Sequence, residues 1–240
     1  MLKGKYVLLS LAAALVCWQA AGIGTANSGI VDPCKSLVSA ANNTGTVLVC
    51  PLGDGDPLNA AVAPVSGTVD ATITLTVKDN ASVGIAGIPA TDCWLVGCND
   101  GLLLCGGSTG SNADAATDAS GVTHYTNEPI ASGCDTGLYA VVQGVIIQDS
   151  GTCQPKCLAI AAHSPDYKGG PACPGDNRCP DAQVTLPDFS WFTTHYPVGA
   201  NPKPYFACAD YAAPIAAPLG LPDFSKFSVH YAGAGHKCPI

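Results

Sequence analysis

Gly106-Gly-Ser-Thr-Gly110 has the Gly-x-Ser-x-Gly spacing that lifts a serine nucleophile onto a strained turn between a strand and a helix. Leu102 to Leu104 would supply the strand. The following segment, Ser111-Asn-Ala-Asp-Ala-Ala-Thr-Asp118, has turn composition and no amphipathic helix, and βαβ alternation is absent around it. Ser108 therefore reads as a Gly/Ser loop residue at a sheet edge. Asp54 and Asp56 form a carboxylate pair of the kind glycoside hydrolysis uses, but they sit in Gly53-Asp-Gly-Asp-Pro57, which reads as a solvated or weakly calcium-binding turn, and Glu128 is the single glutamate of the chain. His124, His163, His195, His230 and His236 are scattered, without triad or metal spacing. The chain is expected to carry no catalytic residue and not to be an enzyme.

Cysteine offers the other chemistry. The chain holds 13 of them. Lys3 and Lys5 precede an apolar run from Tyr6 to Trp18, and small residues follow to Ala26, which is the three-part layout of a secretory signal peptide. Residues 1–26 are expected to be removed, and Cys17 with them; the apolar run is too short for a membrane span. An even set remains: Cys34, Cys50, Cys93, Cys98, Cys105, Cys134, Cys153, Cys157, Cys173, Cys179, Cys208 and Cys238. In an oxidising compartment this reads as a disulfide framework. Cys34 with Cys50 is expected to brace the N-terminal edge, and Cys153 with Cys157 the exit of the first domain. Cys173, Cys179, Cys208 and Cys238 allow three pairings among themselves, which sequence does not rank. The rival is a zinc site made from these four with His195, His230 or His236, although their spacing matches no zinc pattern.

The elements that would position these groups fall into two sets. Between about residues 45 and 148 strand signals dominate: Thr46 to Cys50, the alternating Ala71-Thr-Ile-Thr-Leu-Thr-Val77, Leu102 to Cys105, and Leu138 to Ile147, separated by Gly-, Asn- and Asp-rich turns. Short strands with such turns predict a β-sandwich over residues 27–158. Pro and Gly become dense around Cys153-Gln-Pro-Lys-Cys157 and His163 to Pro171, so residues 159–172 are expected to be a linker. In the last segment, residues 173–240, Leu186-Pro-Asp-Phe-Ser-Trp-Phe-Thr-Thr-His-Tyr196 and Leu221-Pro-Asp-Phe-Ser-Lys-Phe-Ser-Val-His-Tyr231 are near copies. Leu186, Phe189, Phe192 and Tyr196, like Leu221, Phe224, Phe227 and Tyr231, repeat at helical spacing. Pro187 and Pro222 suit a first turn, and Asp188 and Asp223 suit the positive end of the helix dipole. Two related short helices are expected to pack on each other.

This duplicated pattern resembles a dockerin domain, over roughly Ser164 to Cys238. In that family each copy is a calcium-binding loop followed by one helix, and the pair docks onto a cohesin module. The resemblance implies calcium ligands counted back from Asp188: Asn177, Asp181, Gln183 (through its carbonyl) and Thr185, with Asp188 closing the loop. The second loop offers no such set, since Ala212, Pro214 and Ala216 lack side-chain oxygens. Disulfides are expected to pin loops that calcium pins elsewhere. The family's partner-facing residues map to Ser190, Trp191, Thr194, Ser225, Lys226 and Val229, with Trp191 the leading one.

Val77-Lys-Asp-Asn-Ala-Ser-Val-Gly-Ile-Ala-Gly-Ile-Pro89, followed by Ala116-Thr-Asp-Ala-Ser-Gly-Val-Thr123, is similar to a bacterial Ig-like domain of the invasin type. This resemblance implies a sandwich used for surface display, adhesion or spacing, and a bacterial source. Cys93, Cys98, Cys105 and Cys134 depart from that family's pattern. Composition agrees with a packed chain, with 12% charged and 48% hydrophobic residues. A net charge of −8 with no basic cluster excludes a nucleic-acid partner. The expectation is a mainly β chain with a small α region: an Ig-like β-sandwich followed by a disulfide-braced dockerin-like helix pair, secreted or on the cell surface, docking a cohesin-like protein partner. The alternative is a self-associating structural subunit of an extracellular matrix or filament.

Overall fold

The computed structural model describes residues 29–106, 110–167, 180–197, 203, 206–215, 218–231 and 238. The leader, Ser108, Cys173, Asn177, Cys179 and His236 lie outside them. Twelve strands and two α-helices are present among the described residues: β1 Leu37–Ala40, β2 Thr46–Leu48, β3 Ala61–Val62, β4 Thr68–Val69, β5 Ile73–Thr76, β6 Cys93–Gly97, β7 Leu102–Leu104, β8 Val122–Tyr125, β9 Ala131–Asp135, β10 Leu138–Val142, β11 Val145–Ile146, β12 Ala161–His163, α1 Leu186–His195 and α2 Leu221–His230. The chain is mainly β with a small α region, as the strand and helix patterns predict.

The strands form three sheets, ordered β1-β5-β8, β11-β10-β6 and β4-β3-β2-β12-β9-β7. They enclose one apolar core drawn from all three, including Val47, Ile73, Leu75, Leu95, Tyr125, Leu138 and Ile160. This is a β-sandwich. β5 shows why the pattern works: Ile73 and Leu75 are buried, while Thr74 and Thr76 face partly outward. β10 and β11 form a hairpin with Val142 opposite Val145. The two linking residues, Gln143 (φ 49°) and Gly144 (φ 83°), both have positive φ, the conformation a two-residue hairpin of matching twist needs. The single apolar run from 138 to 147 is thus two strands and a turn.

The expected linker is corrected in part. Ala161–His163 is β12, running parallel to β2 and antiparallel to β9 in the middle of the largest sheet. Its backbone groups are spent on two neighbours, which a linker could not do.

The disulfides also correct the expectations. Cys34 bonds Cys153, Cys98 bonds Cys157, Cys105 bonds Cys238 and Cys134 bonds Cys208. Cys34 does not pair with Cys50, nor Cys153 with Cys157. Cys208 and Cys238 are joined to cysteines of the sandwich rather than to each other, so neither has a thiolate for the four-cysteine zinc site considered above. Cys50 and Cys93 are free and buried. Cys93 takes the place of a small apolar residue in the sandwich core, as a buried free cysteine does.

Candidate functional site

Helices α1 and α2 pack by their aromatic faces. Phe192 stacks on Phe227 at 4.7 Å between ring centroids, Phe189 stacks on Tyr231 at 5.1 Å, and Phe192 meets Phe224 at 6.1 Å. Their cluster also takes in Tyr167, Val184, Tyr211 and Leu219, and reaches Leu48 and Cys50 at the end of β2. The pair therefore packs on the sandwich through a second core, distinct from the one between the sheets. Tyr211 donates to the Ser164 carbonyl at 3.4 Å, and the His163 ring Nδ1 lies 3.0 Å from the Asp210 carbonyl, both links being buried.

Asp188 and Asp223 do the same work in both copies. The Asp188 carboxylate accepts the Thr185 N–H at 2.7 Å, capping its own helix, and the Tyr167 N–H at 2.9 Å. Asp223 accepts the Gly220 N–H at 2.8 Å and the N–H groups of Tyr211 and Ala212 at 2.9 and 3.0 Å. Each buried carboxylate holds its helix start and a preceding Asp-Tyr turn, Asp166-Tyr167 or Asp210-Tyr211. The duplicated unit is thus longer than the helix. Sequence reading missed the Asp-Tyr pair because the spacers before the two helices differ in length.

Of the implied calcium ligands, Asp181, Gln183, Thr185 and Asp188 are described. Asp181 is half-buried, and its carboxylate accepts the Gln183 N–H at 3.2 Å. Burial raises its pKa above the ordinary carboxylate value, against the backbone hydrogen bond from Gln183. The Gln183 side chain is exposed, and the Thr185 hydroxyl lies 3.2 Å from Asp188. Asp188, the closing carboxylate, gives its oxygens to the amides named above.

Of the six expected partner-facing residues, Ser190, Thr194, Ser225 and Val229 are exposed on the helix pair. The other two turn onto the molecule itself. Trp191 is half-buried, 5.1 Å from the His195 ring and 6.1 Å from Phe206. Lys226 makes an ion pair with both oxygens of Asp56 at 2.9 Å. These two were expected to meet a partner; in the fold an aromatic cluster and a carboxylate turn already lie within their reach.

That turn, residues 51–56, is where the sandwich and α2 meet. Its sharp path depends on Gly55, where a Cβ would collide with the Leu48 carbonyl. Beside it, Asp54 Oδ2 lies 3.3 Å from His230 Nδ1. Cys50 is buried next to both; burial first, then the nearby carboxylates of Asp54 and Glu128, push its thiol far above the ordinary value. Glu128 accepts the Gly55 N–H, and burial pushes its carboxyl up to about 7, with Asp54 and Asp56 adding to the shift. The sequence singled out Asp54, Asp56 and Glu128 only to reject them as a catalytic pair, and it gave no sign that His230 would join them.

A cleft of about 770 Å³ opens between β7, β9 and the 207–209 turn, lined by Asn99, Leu103, Asp135, His163 and Tyr167 among others. Asp135 there is buried and accepts N–H groups from Asn99, Gly101 and Gly137, which makes it a loop anchor. Burial lowers the His163 pKa. No helix among the described residues is long and apolar enough to cross a membrane.

No family model matches the chain. No curated protein matches it either. Among solved structures, it is similar to the crystal structure of the Lin-41 filamin domain at 12% identity and a TM-score of 0.24, over 52% of this chain and 91% of that one.

Proposed function

We infer that this protein is an exported, non-catalytic binding and assembly protein, in which an Ig-like sandwich presents a dockerin-like helix pair to a partner protein, a cohesin-like module. Four disulfides among the described residues fit an oxidising compartment and support the reading of residues 1–26 as a secretory leader. One observation carries the docking assignment. The two copies bury the same phenylalanines against each other and leave the same leucine outside, Leu186 at 63% and Leu221 at 67% exposure, with Val229 at 63% beside Ser225. An apolar residue kept at solvent in both copies, among small hydroxyl side chains, suits a protein interface core with a polar rim. Ser190, Thr194, Ser225 and Val229 are the contact residues; Trp191 and Lys226 support the face from behind.

The test uses the full disulfide-bonded chain on a biosensor against a panel of cohesin modules. Specific capture is expected, weakened at least about tenfold by Ser190→Arg together with Ser225→Arg, because two long charges on the face exclude a close partner. Absence of capture combined with ordered polymers of the pure protein would instead favour the structural-subunit reading.

A further inference from the structure

Cys50, Asp54 and His230 come from the segment just after β2, a turn and the last residue of a helix, yet one ligand atom of each lies within 4.8 Å of the other two. One edge, between Asp54 Oδ2 and His230 Nδ1, is 3.3 Å, and the Cys50 thiol is hydrogen-bonded to Asp54. A tetrahedral zinc ion with bonds of about 2.0–2.3 Å holds its ligand atoms about 3.3–3.8 Å apart. The cluster is therefore within about 1.5 Å of that geometry, and Asp54 sits on an exposed turn that can close the difference. We propose that Cys50, Asp54 and His230 bind a zinc-class divalent cation, with the fourth position taken by water or by Glu128.

The donor set selects the ion. One thiolate, one imidazole and one carboxylate form a borderline-soft site that suits zinc and is wrong for calcium or magnesium, which want oxygen alone. Glu128 adds a further carboxylate beside the cluster, while the charge of the neighbouring Asp56 is balanced by Lys226. Glu128 is a second, independent sign. It reaches the same turn through the Gly55 N–H, and its Oε1 is buried with no hydrogen-bond partner. Such an oxygen is costly unless something positive meets it.

Two rival roles for the cysteine fail on the same geometry. As a nucleophile, Cys50 would need substrate access, and it has none: its exposure is 0%. A bare ion has a path past the exposed Asp54 that a peptide or an acyl group does not. As half of a disulfide, Cys50 has no partner among the described residues: eight cysteines there are paired with one another, and Cys93, the other free one, is buried in the separate core of the sandwich. The ion would clip the end of α2 to the sandwich turn, next to the Lys226–Asp56 ion pair.

The full chain, oxidised and freed of metal by a chelator, is titrated with cobalt(II) and then with zinc. One equivalent of cobalt is expected, with a thiolate-to-cobalt charge-transfer band in the near ultraviolet and the intense visible bands of a tetrahedral site, both lost on adding zinc. Cys50→Ser should remove the charge-transfer band, and Asp54→Asn and His230→Gln should each weaken binding by more than about 100-fold, beyond what losing an outer-shell partner does. Should Cys50→Ser not fold, as judged by circular dichroism, the other two variants decide, Asp54 being exposed. A folded wild-type chain without the thiolate band, or affinity unchanged in Asp54→Asn and His230→Gln, would overturn the site. Partner capture plays no part in this readout, so the result is separate from the docking assignment.

Discussion

Asp188 and Asp223 each give their oxygens to backbone N–H groups. A charge-assisted hydrogen bond to a buried amide contributes about 1.5–3 kcal/mol, and removing its acceptor leaves the amide unsatisfied. Asp223→Ala is accordingly expected to lower stability by about 2–4 kcal/mol in a urea titration, with Asp188→Ala similar. Asp166 behaves differently. It is fully buried, and burial, reinforced by the negative charge of Asp188, pushes its carboxyl up to about 8 from an ordinary value of 3.8. Between those two values the folded chain holds a proton that the unfolded chain has released. The stability this contributes is complete below about pH 4 and is lost as pH rises through about 8. Asp166→Asn removes the titration, so the variant should lose less stability than the wild type between pH 5 and pH 9. Equal slopes in the two proteins would contradict the assignment.

At the scale of elements, the helix pair rests on its rings. Phe192 and Phe227 are fully buried and stacked on each other. Truncating either to alanine should cost about 3–5 kcal/mol, as for large core side chains generally. Lys226→Met should change stability by no more than about 1 kcal/mol, because the Lys226–Asp56 pair is partly open to water at 37% and 22% exposure. Thermal melts of the three variants side by side check both statements. The helices were legible in the sequence because their apolar spacing, first-turn proline and N-terminal aspartate all agree. β5 was legible through its alternating threonines. β9, Ala-Ser-Gly-Cys-Asp, and β12, Ala-Ala-His, were not, because they lack β-branched runs. Their strand state comes from neighbours on both sides, which is tertiary context and leaves no local mark. The same holds for Trp191: its position on the helix was readable, whereas Phe206, which covers it, lies beyond the helix on a separate turn.

At the scale of the whole molecule, the core of the helix pair takes in Leu48 and Cys50 from the sandwich, and the two parts are joined covalently by Cys134–Cys208 and Cys105–Cys238. Pairing across 74 and 133 positions is invisible to sequence, as is the meeting of Cys50 with His230, since only the folded chain brings them together. Closing a loop of that size restricts the unfolded chain by about 4 kcal/mol on the chain-entropy account. The double variant Cys134→Ala with Cys208→Ala should therefore lose roughly that much stability in guanidinium while keeping its strand and helix content by circular dichroism. The duplicated helices are thus fastened to the sandwich by covalent bonds. Mass-spectrometric mapping of the non-reduced protein tests this central claim most directly. Cross-linked peptides joining Cys105 to Cys238 and Cys134 to Cys208 are predicted; a bond between Cys208 and Cys238, or from either to Cys173 or Cys179, would contradict the claim.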